Sequence, residues 1–449
     1  MALATRASPP LPSRRLVLAC LAGLPVLSLL VAREPSYDPV GWLIWGREIA
    51  HGTLATSGGP SWKPLPVLFT TLFAPTGSGV APLLWLVVAR AGGLAALLAA
   101  FTLARRLSGS VLSGLLAAAA LALASDFLYN AARGDSEGWL VALVLYAVIL
   151  HLDGRHHAAF AAGALAALLR PEVWPLWGAY GLLMLHRHRD ARTLAFLVAS
   201  VVVVLAAWFI PEEIGSGNLL RSSDRARYPV PGTPGASSAP FLFTFVLGAR
   251  MLSIPVYAGA VYAVVRAWRE RDRTLLALAG GATVVMLIVA GLAQNGFTGN
   301  LRYVTLPAAG LCVLAGVGLP GLAARVRHSR AWRPVIAVTV LSVLVSLVVI
   351  GSGVYRLLRD ERRYGHDLPA LIERAGGAAA VRACGPLWSS AYERQAVAYR
   401  LDVPPEQVSQ RPGAARGTVL AYATSPVSRT SRLPVRDRVG PWVRRTSCD

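Results

Sequence analysis

Apolar runs of membrane-spanning length recur along the chain, and no other feature narrows the possible folds so far. After a basic, Pro- and Ser-rich start over residues 1–15, Leu16 to Ala32 are apolar. Further runs fall at about 80–103, 109–125, 138–152, 157–170, 172–186, 193–210, 241–265, 274–293, 303–322 and 333–353. A helix needs about 20 such residues to cross a bilayer, so the pattern predicts an all-α polytopic membrane protein of roughly eleven transmembrane helices. The first run follows a basic segment as in a signal peptide, but no small-residue cleavage site comes after it, so it reads as an uncleaved span. Beyond Tyr355 the composition turns polar. Residues 356–449 therefore read as a small α/β domain, and residues 1–355 as the membrane domain. Within the polar part, Ala378–Cys384 and Thr418–Tyr422 read as strands and Ser390–Leu401 as a helix.

Composition agrees with this class. Of 449 residues, 55% are hydrophobic and 15% charged, with mean hydropathy +0.51, whereas soluble domains carry about 25% charged residues. The net charge of +21 would suit a nucleic-acid partner. Its distribution argues against one, because the arginines sit mostly in short connections between apolar runs, as membrane topology requires. With the N-terminus in the cytoplasm, the cytoplasmic connections hold 17 basic residues and the opposite ones 9. That excess predicts a multi-pass plasma-membrane protein with a cytoplasmic N-terminus and, after an odd number of spans, an extracytoplasmic C-terminal domain. Arg90 and Arg250 fall inside apolar runs and are expected to face the bundle interior. Cys20 and Cys312 read as small core residues. Cys384 and Cys448 are able to pair if their domain is outside, although two cysteines alone leave that open. No metal-ligand spacing appears.

The first outer loop, Arg33 to Gly79, holds the densest chemistry. Lys63, in Trp62-Lys63-Pro64, is the only lysine among 44 basic residues. Its ammonium suits a phosphate at the bilayer surface; equally, it suits a snorkelling side chain. Asp38 precedes Pro39 and a run with Trp42, Trp45 and Ile49 on one face. That reads as an N-cap aspartate opening a helix that lies in the membrane interface. It also reads as a surface carboxylate able to act as general base. Asp135 and Glu137, beside Arg133 in the second outer loop, are either helix-capping groups or a second acidic cluster facing Asp38. Arg170 and Glu172 flank Pro171 where two short spans meet, as a mutual ion pair or with Arg170 facing a phosphate. Arg302-Tyr303 opens a span, as an interface anchor or as an anion-binding pair. The Gly-, Ser- and Pro-rich loop from Pro211 to Pro240, with Arg221, Arg225 and Arg227, reads as mobile and solvated.

The order and sidedness of these elements resemble the GT-C superfamily of integral membrane glycosyltransferases. The likeness is to the branch of protein O-mannosyltransferases and the lipid A aminoarabinose transferase, and covers about residues 15–350. It rests on Asp38, the helix Trp42 to His51, Lys63-Pro64, Arg170 to Glu172, and Arg302-Tyr303 with Pro307. The resemblance implies an inverting hexosyl- or pentosyltransferase. It would move a sugar from a polyprenyl-phosphate donor to a glycan, lipid or protein acceptor at the outer face of the membrane. Asp38 would be the catalytic base, with Lys63, Arg170 and Arg302 on the donor phosphate and Asp135, Glu137, Glu172 and Tyr303 lining the cavity. Side-chain cations would serve without metal or cofactor. A transporter or flippase of a lipid-linked intermediate, or a non-catalytic envelope scaffold, is the alternative; no internal repeat of the transporter kind is visible.

Overall fold

The computed structural model describes residues 14–413 and 416–448; Arg6, which enters the topology argument, lies outside them. Local signals fix many helix ends. Helix α1 (Arg14–Ser28) is followed by α2 (Tyr37–His51), which starts after Ser36 and stops at Gly52, whose φ of 70° only glycine adopts freely. Pro64 and Pro66 open α3 (Pro64–Phe73), where a proline lacking N–H costs nothing. A 3₁₀ turn joins it to the long α4 (Gly77–Ser108). Then come α5 (Val111–Ala122), the short α6 (Phe127–Ala132), α7 (Glu137–Leu152), α8 (His156–Ala167) and α9 (Trp174–Arg187). Asp190 caps α10 (Ala191–Ser216) by accepting from the Thr193 amide, and Asp272 caps α14 (Arg273–Gln294) in the same way. Between them lie α11 (Arg221–Ala226), α12 (Pro240–Ala249) and α13 (Ile254–Glu270). Helices α15 (Thr305–Val326) and α16 (Trp332–Asp360) complete the apolar part.

The bundle centre is α4, α5, α7 and α15, each packed on at least one of the others, with α13 and α14 against α15. Close approach depends on small residues, because apolar burial alone does not drive helices together in lipid. A Cβ on Gly318 would fall on the Gly259 carbonyl oxygen, and one on Gly138 would fall on the Gly93 backbone. Helix α16 stands at the rim and buries only Gly353 and Leu357.

Among the described residues, five helical stretches are long and apolar enough to cross a membrane, or six if α12 and α13 count as one span. Three shorter apolar helices, including α5 and α7, add to these. The run at 241–265 was expected as one continuous helix. It is instead two helices bent by 103°, because Ser253 and Pro255 start a new helix after Met251. Arg250 sits at that break and is exposed rather than turned inward, whereas Arg90 is buried and donates to the Ala32 and Ala132 carbonyls. Cys20 is exposed on α1 rather than in a core; Cys312 is buried.

The polar part contains α17 (Leu368–Arg374), α18 (Gly377–Ala383), α19 (Arg394–Leu401) and α20 (Pro426–Thr430). Its sheet has strands β1 (Leu387–Trp388), β2 (Val408–Ser409), β3 (Thr418–Tyr422), β4 (Val435–Val439) and β5 (Trp442–Thr446), in the order β2-β1-β3-β5-β4. The β1 pairings are parallel and those of β5 antiparallel. The strand expected at Ala378–Cys384 is helix α18, since its four alanines favour helix. Cys384 and Cys448 form a disulfide.

Candidate active site at the first long loop

Ser36, extended at φ −76° and ψ 177°, is the residue that precedes α2. Asp38 was expected as the cap but lies in the first helical turn, with its carboxylate free to reach Arg302 Nη2 at 2.5 Å. Trp42 and Trp45 do not face an interface. Both are fully buried, Trp42 edge-on to Trp85 at 5.6 Å and Trp45 against Trp62 at 5.4 Å, while Ile49 on the far turn is exposed. So α2 is a core helix that carries Asp38 inward.

Arg302 is placed by a 3₁₀ turn (Leu301–Val304) just before α15. It spans two carboxylates, Asp38 and, at 3.2 Å, Asp135. Asp135 also accepts from Ser36 Oγ at 3.0 Å, which ties the second loop to the first. Ser136 follows and accepts from Lys63 Nζ at 3.1 Å, while the ammonium stands 5.1 Å from the Trp42 ring centre. Glu137 pairs with Arg170, which also reaches Glu172 at 3.5 Å. The Arg170 guanidinium lies 4.1 Å over the Tyr303 ring. The eight side chains singled out in the sequence thus form one connected cluster. Lys63, Asp135, Glu137 and Arg170 in it are buried. Three buried polar atoms of the cluster, Glu137 Oε2, Arg170 Nε and Glu172 Oε2, have no hydrogen-bond partner among the described residues. In a water-poor site such atoms are costly, and they are available to an incoming polar group.

The electrostatics follow from burial against neighbouring charge. Burial pushes Asp38 upward, but Arg302 and Lys63 outweigh it and hold the carboxyl below the usual range. Burial and then the Arg170 charge bring Lys63 down to about 8. Asp135 goes the other way: burial raises it to about 6 against the pull of Arg302. The site therefore offers one carboxylate that stays ionised and one cation that titrates within reach of neutral pH.

The connection from Pro211 to Pro240 is not the mobile, solvated loop expected. Helix α10 continues through Pro211 to Ser216, and α11 folds back onto the first loop. Arg221 makes a two-bond pair with the buried Glu212, at 2.9 and 3.1 Å, and donates to the Pro60 carbonyl at 3.0 Å. Ser222 Oγ accepts from the Trp62 amide at 2.6 Å. These contacts fix the backbone on both sides of Ser61, immediately before Lys63. The sequence reasoning missed Ser36, Ser136 and Glu212. Ser36 alone had a local signal, a helix-starting residue just ahead of Asp38-Pro39.

A cavity of about 630 Å³ lies beside the cluster, between the first loop and α19, and its wall includes Ser36 and Tyr37 but not Asp38.

No protein-family model matches the chain, and no curated protein sequence matches it. Solved structures do. The structure is similar to ArnT from Cupriavidus metallidurans bound to undecaprenyl phosphate, at TM-score 0.59 and 16% identity, over 96% of this chain and 97% of that chain. The apo state of the same enzyme gives TM-score 0.57 and 17% identity over the same shares. The archaeal oligosaccharyltransferase AglB from Archaeoglobus fulgidus, solved with an inhibitory peptide and a dolichol-phosphate, gives TM-score 0.45 and 14% identity over 88% of this chain and 65% of that one. The fold is thus similar to that of ArnT over nearly the whole chain, in keeping with the resemblance read over about residues 15–350.

Proposed function

We propose that the chain is a glycosyltransferase that moves a sugar from a polyprenyl-phosphate donor to an acceptor hydroxyl at the outer face of the plasma membrane. The observation that carries this reading is Arg302 held between Asp38 and Asp135, with Lys63 and Arg170 buried in the same cluster. Support comes from the near full-length fold likeness to ArnT, which was solved bound to undecaprenyl phosphate. Residues 1–355 form the catalytic membrane part in this reading, with the N-terminus cytoplasmic, and residues 356–449 an extracytoplasmic domain.

This reading implies an order of events. A donor phosphate oxygen takes the place of a carboxylate on Arg302, and Lys63 and Arg170 add charge beside it. Asp38, released from Arg302, accepts the acceptor's hydroxyl proton. The acceptor oxygen bonds to the anomeric carbon as the bond from that carbon to the phosphate oxygen breaks, inverting the centre. Polyprenyl phosphate leaves with the electron pair, its charge held by the side-chain cations. Loss of a positioned base costs about 10²–10⁴-fold, so Asp38→Asn is expected to lower transfer by that factor while retaining donor binding. Lys63→Ala is expected to weaken donor binding. Undiminished sugar transfer in both variants, at normal expression in membranes, would remove these residues from the mechanism and the reading with them.

A further inference from the structure

The 630 Å³ cavity beside the cluster has walls from two parts of the chain that are far apart in sequence. One wall is the end of α1 and the entry to α2, including Ser36 and Tyr37. The other is α19 with the segment that leads to α17. The two are pinned together by Arg400 on Glu34 at 2.5 Å and by Tyr399 Oη on the Ser78 carbonyl at 2.9 Å. The cavity is therefore a built feature rather than a gap between loosely placed parts.

Its chemistry is mixed and balanced. Four tyrosines, Tyr37, Tyr364, Tyr392 and Tyr399, line it. Three arginines, Arg33, Arg133 and Arg400, meet three carboxylates, Glu34, Asp360 and Glu361. No cation excess is left to select a phosphate-rich ligand. Aromatic faces alternating with hydrogen-bonding groups suit a ligand whose hydroxyls both donate and accept. One group is set for it. Gln395 is fully buried, its amide nitrogen is 3.5 Å from Tyr37 Oη, and its side-chain oxygen has no partner among the described residues. A buried amide oxygen without a hydrogen bond costs about 1–3 kcal/mol, and Gln395 is one of the residues that line this cavity. At the end of α1 the rim is apolar: Leu30 is 77% exposed and Val31 is 54% exposed.

We infer that this cavity is the acceptor site and that the acceptor is an uncharged, hydroxyl-rich saccharide, recognised by Gln395 and the tyrosine faces. This rests on the transferase reading. Ser36, Tyr37 and Val40 line the cavity, so a sugar seated there lies against the start of α2, the turn that carries Asp38. The same saccharide chemistry is available on a lipid anchor, with its chain over Leu30 and Val31, or on a soluble glycan.

The test is saturation-transfer NMR on the full chain in nanodiscs, with octyl glucoside, maltotriose and a blocked Ala-Ser-Ala tripeptide as probes. Saturation is expected on the pyranose ring protons. It should fall about five-fold in Gln395→Met, the loss of one net hydrogen bond, and comparably in Tyr392→Ala, a change at an exposed ring that leaves packing intact. Signal from octyl glucoside alone identifies a lipid-linked acceptor; signal from maltotriose as well identifies a soluble glycan. No pyranose signal, a signal unchanged in both variants, or a signal on the tripeptide alone would overturn the inference. Farnesyl phosphate binding, measured in parallel, keeps the two readings apart: its failure removes the donor reading, whereas a loss confined to the sugar probes removes only the acceptor site.

Discussion

In the proposed transferase Lys63 would have to be charged to hold a phosphate, yet burial has brought its pKa to about 8. The sign of the pH dependence follows. As pH rises through about 8 the ammonium is lost, while a sugar phosphodiester keeps its single charge throughout. We therefore predict that kcat/KM falls above about pH 8, in proportion to neutral Lys63, since kcat/KM reports the free enzyme. Lys63→Arg, whose charge does not titrate, should abolish that alkaline limb even though absolute activity drops. A limb unmoved in Lys63→Arg would assign it to another group. At the acid end, protonation of Asp135 below about 6 frees one side of Arg302, so donor affinity should rise there while Asp38, held below the usual carboxylate range, stays ionised. At this scale the sequence was informative about identity and silent about partners. A lone lysine before a proline stands out. The pairing of Arg302 with Asp38 spans 264 positions, and no local pattern announces it.

Among the elements, α11 is one that the sequence misdescribed. Its surroundings are rich in Gly, Ser and Pro, the composition of mobile loops. Glu212 and Arg221 are only nine positions apart, but their pairing requires α10 to run on past Pro211 and the chain then to fold back. A buried two-bond pair is costly to break from one side only. Arg221→Met is predicted to destabilise the protein by about 3–5 kcal/mol in thermal or denaturant unfolding, because Glu212 is left charged and unpaired. The double variant Glu212→Gln with Arg221→Met should recover much of that loss. Additive losses would show that the two act separately and that the backbone before Lys63 is held by Ser222 alone. The break between α12 and α13 was legible in principle, since Ser253-Ile254-Pro255 is a helix start inside an apolar run. Apolar continuity overrode it. Helices α4, α10, α14 and α15, long and uninterrupted, needed only their apolar length to be read.

On the scale of the whole molecule, several connections converge on one end of the bundle. The first loop meets the second through Ser36 and Asp135 and α11 through Pro60, and the second meets the Arg170 corner through Glu137. It meets the C-terminal part through Ser57 on Glu406 and through Arg47 on Asp402 at 2.6 Å. The charge count along the sequence predicted which connections share a side, but not that the C-terminal part would close over them, because such contacts have no period or motif. This convergence makes orientation a single question. If the C-terminal part is outside, so is the cluster around Asp38 and Lys63. The disulfide between Cys384 and Cys448 offers a handle, since such bonds persist in oxidising compartments. With the exposed Cys20 replaced by alanine, a membrane-impermeant maleimide should label intact cells only after treatment with an impermeant reductant. Removing the bridge by Cys384→Ser should also destabilise the C-terminal part by about 4 kcal/mol, from the loop entropy of a 64-residue separation. Labelling that requires cell lysis, with no prior reduction, would place both cysteines and the charged cluster in the cytoplasm. A donor carried on the outer leaflet would then be out of reach, and the transferase reading would have to be rebuilt for the inner face.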